Sequence, residues 1–305
     1  MTFISRPRAV ALLASAAVVA VLGASAPLAA QAALPTAPSG WSLVWGDDFS
    51  AAAGTGVNRA DWLYSTGTGY PGGAAQWGTG EVERMTDSTA NVAHDGNGNL
   101  RITPIRDRQG NWTSGRIETV RTDFQPAQGK VMRIEARIQM PNVTGAKAQG
   151  YWPAFWALGA PFRGNYTNWP SVGEIDIMEN VNGVNTVWGT LHCGIYAGGP
   201  CNETTGLGGS IACPGSTCQS AFHLYRVEWD RSGAVEQMRW YVDGVLYHTV
   251  NETDVDATTW ANATDHGFFI ILNVAMGGNW AGRPTGQTQS GVPMIVDYVA
   301  VLQTL

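Results

Sequence analysis

Beyond residue 32 the chain repeats one pattern: short runs of alternating apolar and polar positions, separated by turns rich in Gly, Asn, Asp and Pro. Asn99–Pro104, Gly129–Met140, Val187–Leu191, Tyr225–Trp229, Met238–Val242 and Met294–Leu302 are examples. A period of two sends successive side chains to opposite faces, so each run reads as a strand with one face on a core. Asp243-Gly244, between Trp240-Tyr241-Val242 and Val245-Leu246-Tyr247, predicts a tight hairpin, because both residues tolerate the positive φ that such a turn demands. No long helical period with caps follows residue 32. Many strands with little helix predict an all-β sandwich or jelly roll.

One run departs from simple alternation. Glu174-Ile175-Asp176-Ile177-Met178-Glu179 holds three carboxylates in six residues with large apolar residues between them. Glu174 and Asp176 share a face by the two-residue period, and Ile175 and Ile177 point into a core. Glu179 is out of step, and a regular strand would bury it unpaired at high cost. One extra residue in a bulge near Ile177-Met178 restores the phase and puts all three acids on one surface. Paired carboxyls on a rigid strand suit glycosidic bond cleavage, which needs one as nucleophile and one as proton donor. A solvated acidic face is the plain alternative. The surrounding tryptophans favour chemistry: Tyr151 through Gly159 contains Trp152 and Trp156, and Trp169-Pro170 precedes the acids. Sugar rings stack their C–H faces on indoles while their hydroxyls bond acids and amides. Phe155 is expected to point inward.

Composition narrows the partners. Arg6 and Arg8 precede an apolar run from Ala9 to Leu22, and Ala30-Gln31-Ala32 ends a stretch of small residues. Residues 1–32 therefore read as a secretory signal cut after Ala32, leaving one domain over 33–305 and an extracellular product. The run is short and broken by Gly23 and Pro27, which argues against a membrane anchor. Loss of the two arginines takes the formal net charge from -6 to -8. Such a chain repels nucleic acid and anionic polysaccharides, whereas a neutral glucan carries no such penalty. Cys193, Cys201, Cys213 and Cys218 cluster without paired Cys-x-x-Cys knuckles, so disulfides are favoured over zinc. Of three connectivities, sequential pairing closes the smallest loops. Asn202-Glu203-Thr204 matches a glycosylation pattern that carries little weight alone. Gly67 through Gly72 fits a dinucleotide fingerprint formally, but it follows no clear strand and opens no helix, so it reads as a cleft-rim loop. No nucleophile elbow, metalloprotease helix or phosphate loop is present.

Four ordered blocks resemble glycoside hydrolase family 16, and within it the bacterial laminarinases. They are Trp41 through Phe49, Arg133 through Ile138 leading to the Trp152–Trp156 segment, Gly173 through Asn180 in the bulged form, and Leu272 through Trp280. The resemblance covers nearly all of residues 33–305. It implies a β-jelly-roll sandwich of two curved antiparallel sheets with a concave substrate cleft. It also implies endo-acting, retaining cleavage of 1,3-β-glucans by a monomer. Glu174 would be the nucleophile, Glu179 the acid/base, and Asp176 would hold Glu174 by a hydrogen bond. Trp152, Trp156 and Trp169 would be stacking platforms, His192 a substrate contact near the leaving group, and Arg116 a contact on the non-reducing side. No cofactor is expected for catalysis. A structural calcium is implied, held by Asp48, Asp297 and the backbone oxygen of Gly98. Where the family often has Trp-Gly-Asn-Asn-Glu, this chain has Trp77-Gly78-Thr79-Gly80-Glu81. A mixed-linkage or broad β-glucanase is the nearest alternative enzyme. A β-glucan recognition module and a wall-adhesion module are the non-enzymatic rivals, and neither has a reason to keep both glutamates.

Overall fold

The computed structural model describes residues 1–3 and 33–305. Met1–Phe3 carry no regular secondary structure, and the rest of the expected leader, residues 4–32, lies outside the described residues. No helix among the described residues is long and apolar enough to cross a membrane. Gln31–Leu305 forms one compact unit.

Two large antiparallel sheets make a jelly-roll sandwich. The first has seven strands in the order Leu207–Ile211, Val187–His192, Glu174–Glu179, Tyr151–Gly159, Phe268–Met276, Arg116–Thr119 and Trp62–Tyr64. The second runs Val245–Asn251, Gln237–Val242, His223–Asp230, Val131–Gln139, Met294–Thr304, Leu100–Ile102 and Val92–His94, with Trp41–Asp47 also paired to Met294–Thr304. The alternating runs of the sequence are these strands. The Asp243-Gly244 hairpin forms as expected, with φ of 49° and 81°. A short capped helix, Ala257–Thr264, was not legible as a helical period because it spans only eight residues; the Asp256 side chain accepts from the Thr259 backbone N–H.

The core lies between the sheets. Ile175, Ile177, Phe155, Ala157, Leu272 and Val274 from the first meet Ile134, Ala136, Val227, Trp240, Val299 and Val301 from the second, all buried. Phe155 points inward, as expected. Removing such side chains from water, at about 25 cal/mol per Å² of apolar surface, is what holds the two layers together. Every residue of Phe268–Met276 is buried, so the seven-stranded sheet has a rigid centre beside the acids.

Of the expected calcium donors, Asp297 lies within Met294–Thr304, and Asp48 and Gly98 lie just outside two strands that pair with it. Trp41–Asp47 and Leu100–Ile102 share an edge of Met294–Thr304, the first reaching Val299 and the second reaching Val296. The donors are all oxygens, which suits calcium. Asp297 already pairs with Arg137 at 2.5 Å, so a cation there would compete with a positive charge supplied by the fold.

Candidate active site

The bulge in Glu174–Glu179 is where the sequence put it. Against Val187–His192, Asp176 lies opposite Thr190 and Glu179 opposite Trp188, three residues against two. Against Tyr151–Gly159, Met178 lies opposite Phe155 and Asp176 opposite Trp156, so the extra residue is Ile177. Ile175, Ile177 and Met178 are buried, while Glu174 and Glu179 are partly exposed. The indole of Trp240, from the other sheet, donates to the Asp176 carbonyl at 2.7 Å. That hydrogen bond satisfies a buried acceptor at the kink, which would otherwise cost about 1–3 kcal/mol.

Directly opposed residues share a face, so the register defines rows across the sheet. Trp188, Glu179, Ala154, Asn273 and Arg116 make one row. Thr190, Asp176, Trp156, Ile271 and Glu118 make the next, and His192, Glu174 and Leu158 a third. Trp152 donates to Glu179 Oε1 at 2.8 Å and meets Trp280 edge-on, which in turn meets Trp188. Trp156 donates to Asn273 Oδ1 at 2.7 Å. Trp169 lies beside His192 and Tyr196, with ring centroids 5.7 and 6.4 Å away. Arg116 is buried, its guanidinium over the rings of Tyr70, Trp77 and Trp156, and it donates to the Tyr70 hydroxyl. Tyr70 and Arg163 both bond Glu118. Arg116 is thus no surface arginine but the centre of an aromatic cage. Surface cavities of about 390 and 260 Å³ lie elsewhere, the larger beside Asp47 and His94, and neither includes a carboxylate of the triad.

One difference concerns Asp176. No hydrogen bond joins it to Glu174; its Oδ2 lies 3.2 Å from His192 Nε2, an ion-pair contact not aligned as a hydrogen bond. Two carboxylates repel, and the imidazole offers Asp176 a positive partner instead. One oxygen or nitrogen from each of Glu174, Asp176 and His192 lies within 4.8 Å of the others. The remaining nitrogen of His192, Nδ1, sits 2.7 Å from Glu203 Oε2. A carboxylate therefore lies close to each nitrogen of the ring.

Burial raises the Glu179 carboxyl well above the usual range, and Asp176 adds to this, while the Trp152 N–H favours the ionised form. Burial and Asp176 also push Glu174 up, to about 8, against His192 and Arg116. Burial disfavours the charge on His192, but Asp176 and Glu203 outweigh it and raise its proton affinity. Acid-assisted displacement needs the form with a proton on Glu179 and none on Glu174.

Residues 77–299 match the family model Glycosyl hydrolases family 16. The chain belongs to that family. An endo-1,3-beta-glucanase from Streptomyces sioyaensis has 64% sequence identity to it and a TM-score of 0.88, covering 89% of this chain and 99% of that one. Glucan endo-1,3-beta-glucosidase A1 of Niallia circulans is 33% identical over 287 residues, 88% of this chain but 39% of that protein. Beta-glucanase of Rhodothermus marinus is 34% identical over 279 residues, 86% of this chain and 85% of that protein. This family 16 chain thus spans well under half of the Niallia protein and most of the other two.

The disulfides are Cys193–Cys201 and Cys213–Cys218, the sequential pairing. Sequence reasoning missed Asn273, Trp188, Trp280, Glu118 and Glu203 as members of the site. Asn273 had a signal: it is the one polar residue in the nine-residue run Phe268–Met276. Glu203 had none, because only the folded Cys193–Cys201 loop brings it to the cleft.

Proposed function

We propose that this chain hydrolyses internal 1,3-β-glucosidic bonds of neutral β-glucans by double displacement with retention. The observation that carries it is the one-residue bulge that returns Glu179 to the face of Glu174 and Asp176, beside a row of indoles. The 64% identity to an endo-1,3-beta-glucanase supports the linkage. Glu174 attacks the anomeric carbon as Glu179 gives its proton to the departing glycosidic oxygen. Glu179, now ionised, takes a proton from water as that water attacks the same carbon and frees Glu174. The pushed-up carboxyl of Glu179 suits a donor near neutral pH. Trp152, Trp156 and Trp169 serve as stacking surfaces, Arg116 bonds glucose on the non-reducing side, and His192 and Asp176 support the reacting carboxylates. We further propose that residues 1–32 direct secretion and that Asp48, Gly98 and Asp297 hold a calcium ion that braces the second sheet.

The test is stereochemical. Proton NMR of the native enzyme should show β-configured reducing ends first. Glu174→Ala should abolish hydrolysis while leaving fold and glucan binding intact. Glu179→Ala should cripple natural glucans but hurt much less with an activated aryl glycoside. Azide rescue should give a β product at Glu179→Ala and an α product at Glu174→Ala. An α product from the native enzyme would falsify the scheme. Products from laminarin, lichenan and agarose separate 1,3 from mixed-linkage and galactan cleavage.

A further inference from the structure

The Cys193–Cys201 loop begins one residue after His192 and does more than close on itself. Gly198 and Glu203 exchange backbone hydrogen bonds across it, both 2.6 Å, so the segment after Cys201 is clamped back onto the loop. This turns the Glu203 side chain inward until none of it is exposed. Its two oxygens have separate tasks. Oε1 accepts the backbone N–H of Cys193 at 2.9 Å, and Oε2 faces His192 Nδ1 at 2.7 Å. A fully buried carboxylate is costly unless paired, and both of its oxygens are. Gly206 approaches the Nδ1 edge of the ring, where a Cβ would come 2.9 Å from that nitrogen.

We propose that Glu203 is a positioning residue that holds His192 doubly protonated, with its charge beside Asp176 and Glu174. The inference rests on Glu174 being the nucleophile. The groups facing His192 and its neighbours are Glu174, Asp176 and Glu179 on the catalytic strand, Glu203 on the loop, Arg116 across the sheet and Tyr247 beneath. Of these only Glu203 meets Nδ1. Glu174 works as an ion beside Asp176, a like charge, and a permanent imidazolium between them offsets that repulsion. Its loss should make Glu174 harder to ionise.

Glu203→Gln is the sharp variant. The amide oxygen can keep the Cys193 N–H, but the NH₂ group would donate to Nδ1 and force a neutral ring protonated at Nε2. Nitrogen-15 spectra of the imidazole, assigned by their loss in His192→Gln, read this directly. The native ring should stay doubly protonated above neutral pH, and the Glu203→Gln ring should be neutral there. In kcat/KM on laminarin, the acid limb, where Glu174 loses its proton, should move up by about one pH unit, the low end for losing a charge at this range. Glu203→Asp keeps the charge and should move that limb less. A neutral native ring overturns the proposal whether or not any variant folds. So does a Glu203→Gln enzyme that loses activity equally at every pH, or one whose acid limb coincides with the native limb. The imidazole spectrum reports on Glu203 alone, and the anomeric configuration of the product reports on Glu174 alone, so the two readings fail separately.

Discussion

Trp152→Phe isolates the hydrogen bond from Trp152 to Glu179, the proposed proton donor. Trp152 Nε1 donates to Glu179 Oε1 at 2.8 Å, and phenylalanine keeps an aromatic ring against Trp280 while deleting that donor. The bond stabilises the ionised glutamate, so it works against the burial that raises Glu179. A hydrogen bond to a charged group is worth about 1.5–3 kcal/mol, and part of that survives with the neutral acid. Taking about 1.4 kcal/mol as the difference between the two protonation states, and the same amount per pH unit, the shift is about one unit. The sign is upward: without its donor Glu179 keeps its proton to higher pH. The basic limb of kcat/KM, on which Glu179 loses that proton, should therefore move up by about one unit, with the acid limb moving less. Reducing-end release from laminarin across the pH range of stable protein measures both limbs. Trp188→Phe is the control, since it removes an indole beside Glu179 without touching this bond. A basic limb that stays put in Trp152→Phe, or moves to lower pH, refutes the reasoning.

Deleting Met178 should leave a folded enzyme with residual activity, since the acids remain in phase at the shorter spacing, though losing a buried methionine costs roughly 2–5 kcal/mol. Inserting a residue after Ile175 should be worse, because Asp176 and Glu179 both change face, and equal activity in the two variants would count against the bulge. Chelator should lower the melting temperature if Asp48, Gly98 and Asp297 hold calcium, and an unchanged midpoint would remove that proposal. Gly159→Ala should cost about 3 kcal/mol or more, because its Cβ would lie 1.8 Å from the Val172 carbonyl, whereas Gly286→Ala, with open space around it, should be neutral in the same urea titration.

What could be read in advance was whatever a period or a local misfit encodes. Alternation gave the strands, and the out-of-step Glu179 gave the bulge, because burying an unpaired acid is too costly for a regular strand to accept. The four cysteines gave their pairing through loop size. What stayed hidden depends on distant segments meeting. Trp188 and Trp280 come from a strand and a short helical turn 92 positions apart, and only register and packing join them beside Glu179. Asp176 was expected to hold Glu174 because the family resemblance implies it and the two share a strand face. The imidazole that competes for it arrives from the next strand, held by a carboxylate from a loop with no pattern of its own. Arg116 could not be told from a surface residue until the rings of Tyr70, Trp77 and Trp156 closed around it.

The hydrogen bond from Trp240 to the Asp176 carbonyl ties the spacing of the acids to a residue in the opposite layer, 64 positions away. Trp169 and Tyr196, whose rings lie 6.4 Å apart, take no part in that tie. A change at the bulge that displaces the Asp176 carbonyl leaves a buried indole without its acceptor. A designer who grafts the six-residue acidic strand onto another sandwich must bring a tryptophan from the far sheet with it, or accept a kink that nothing holds open.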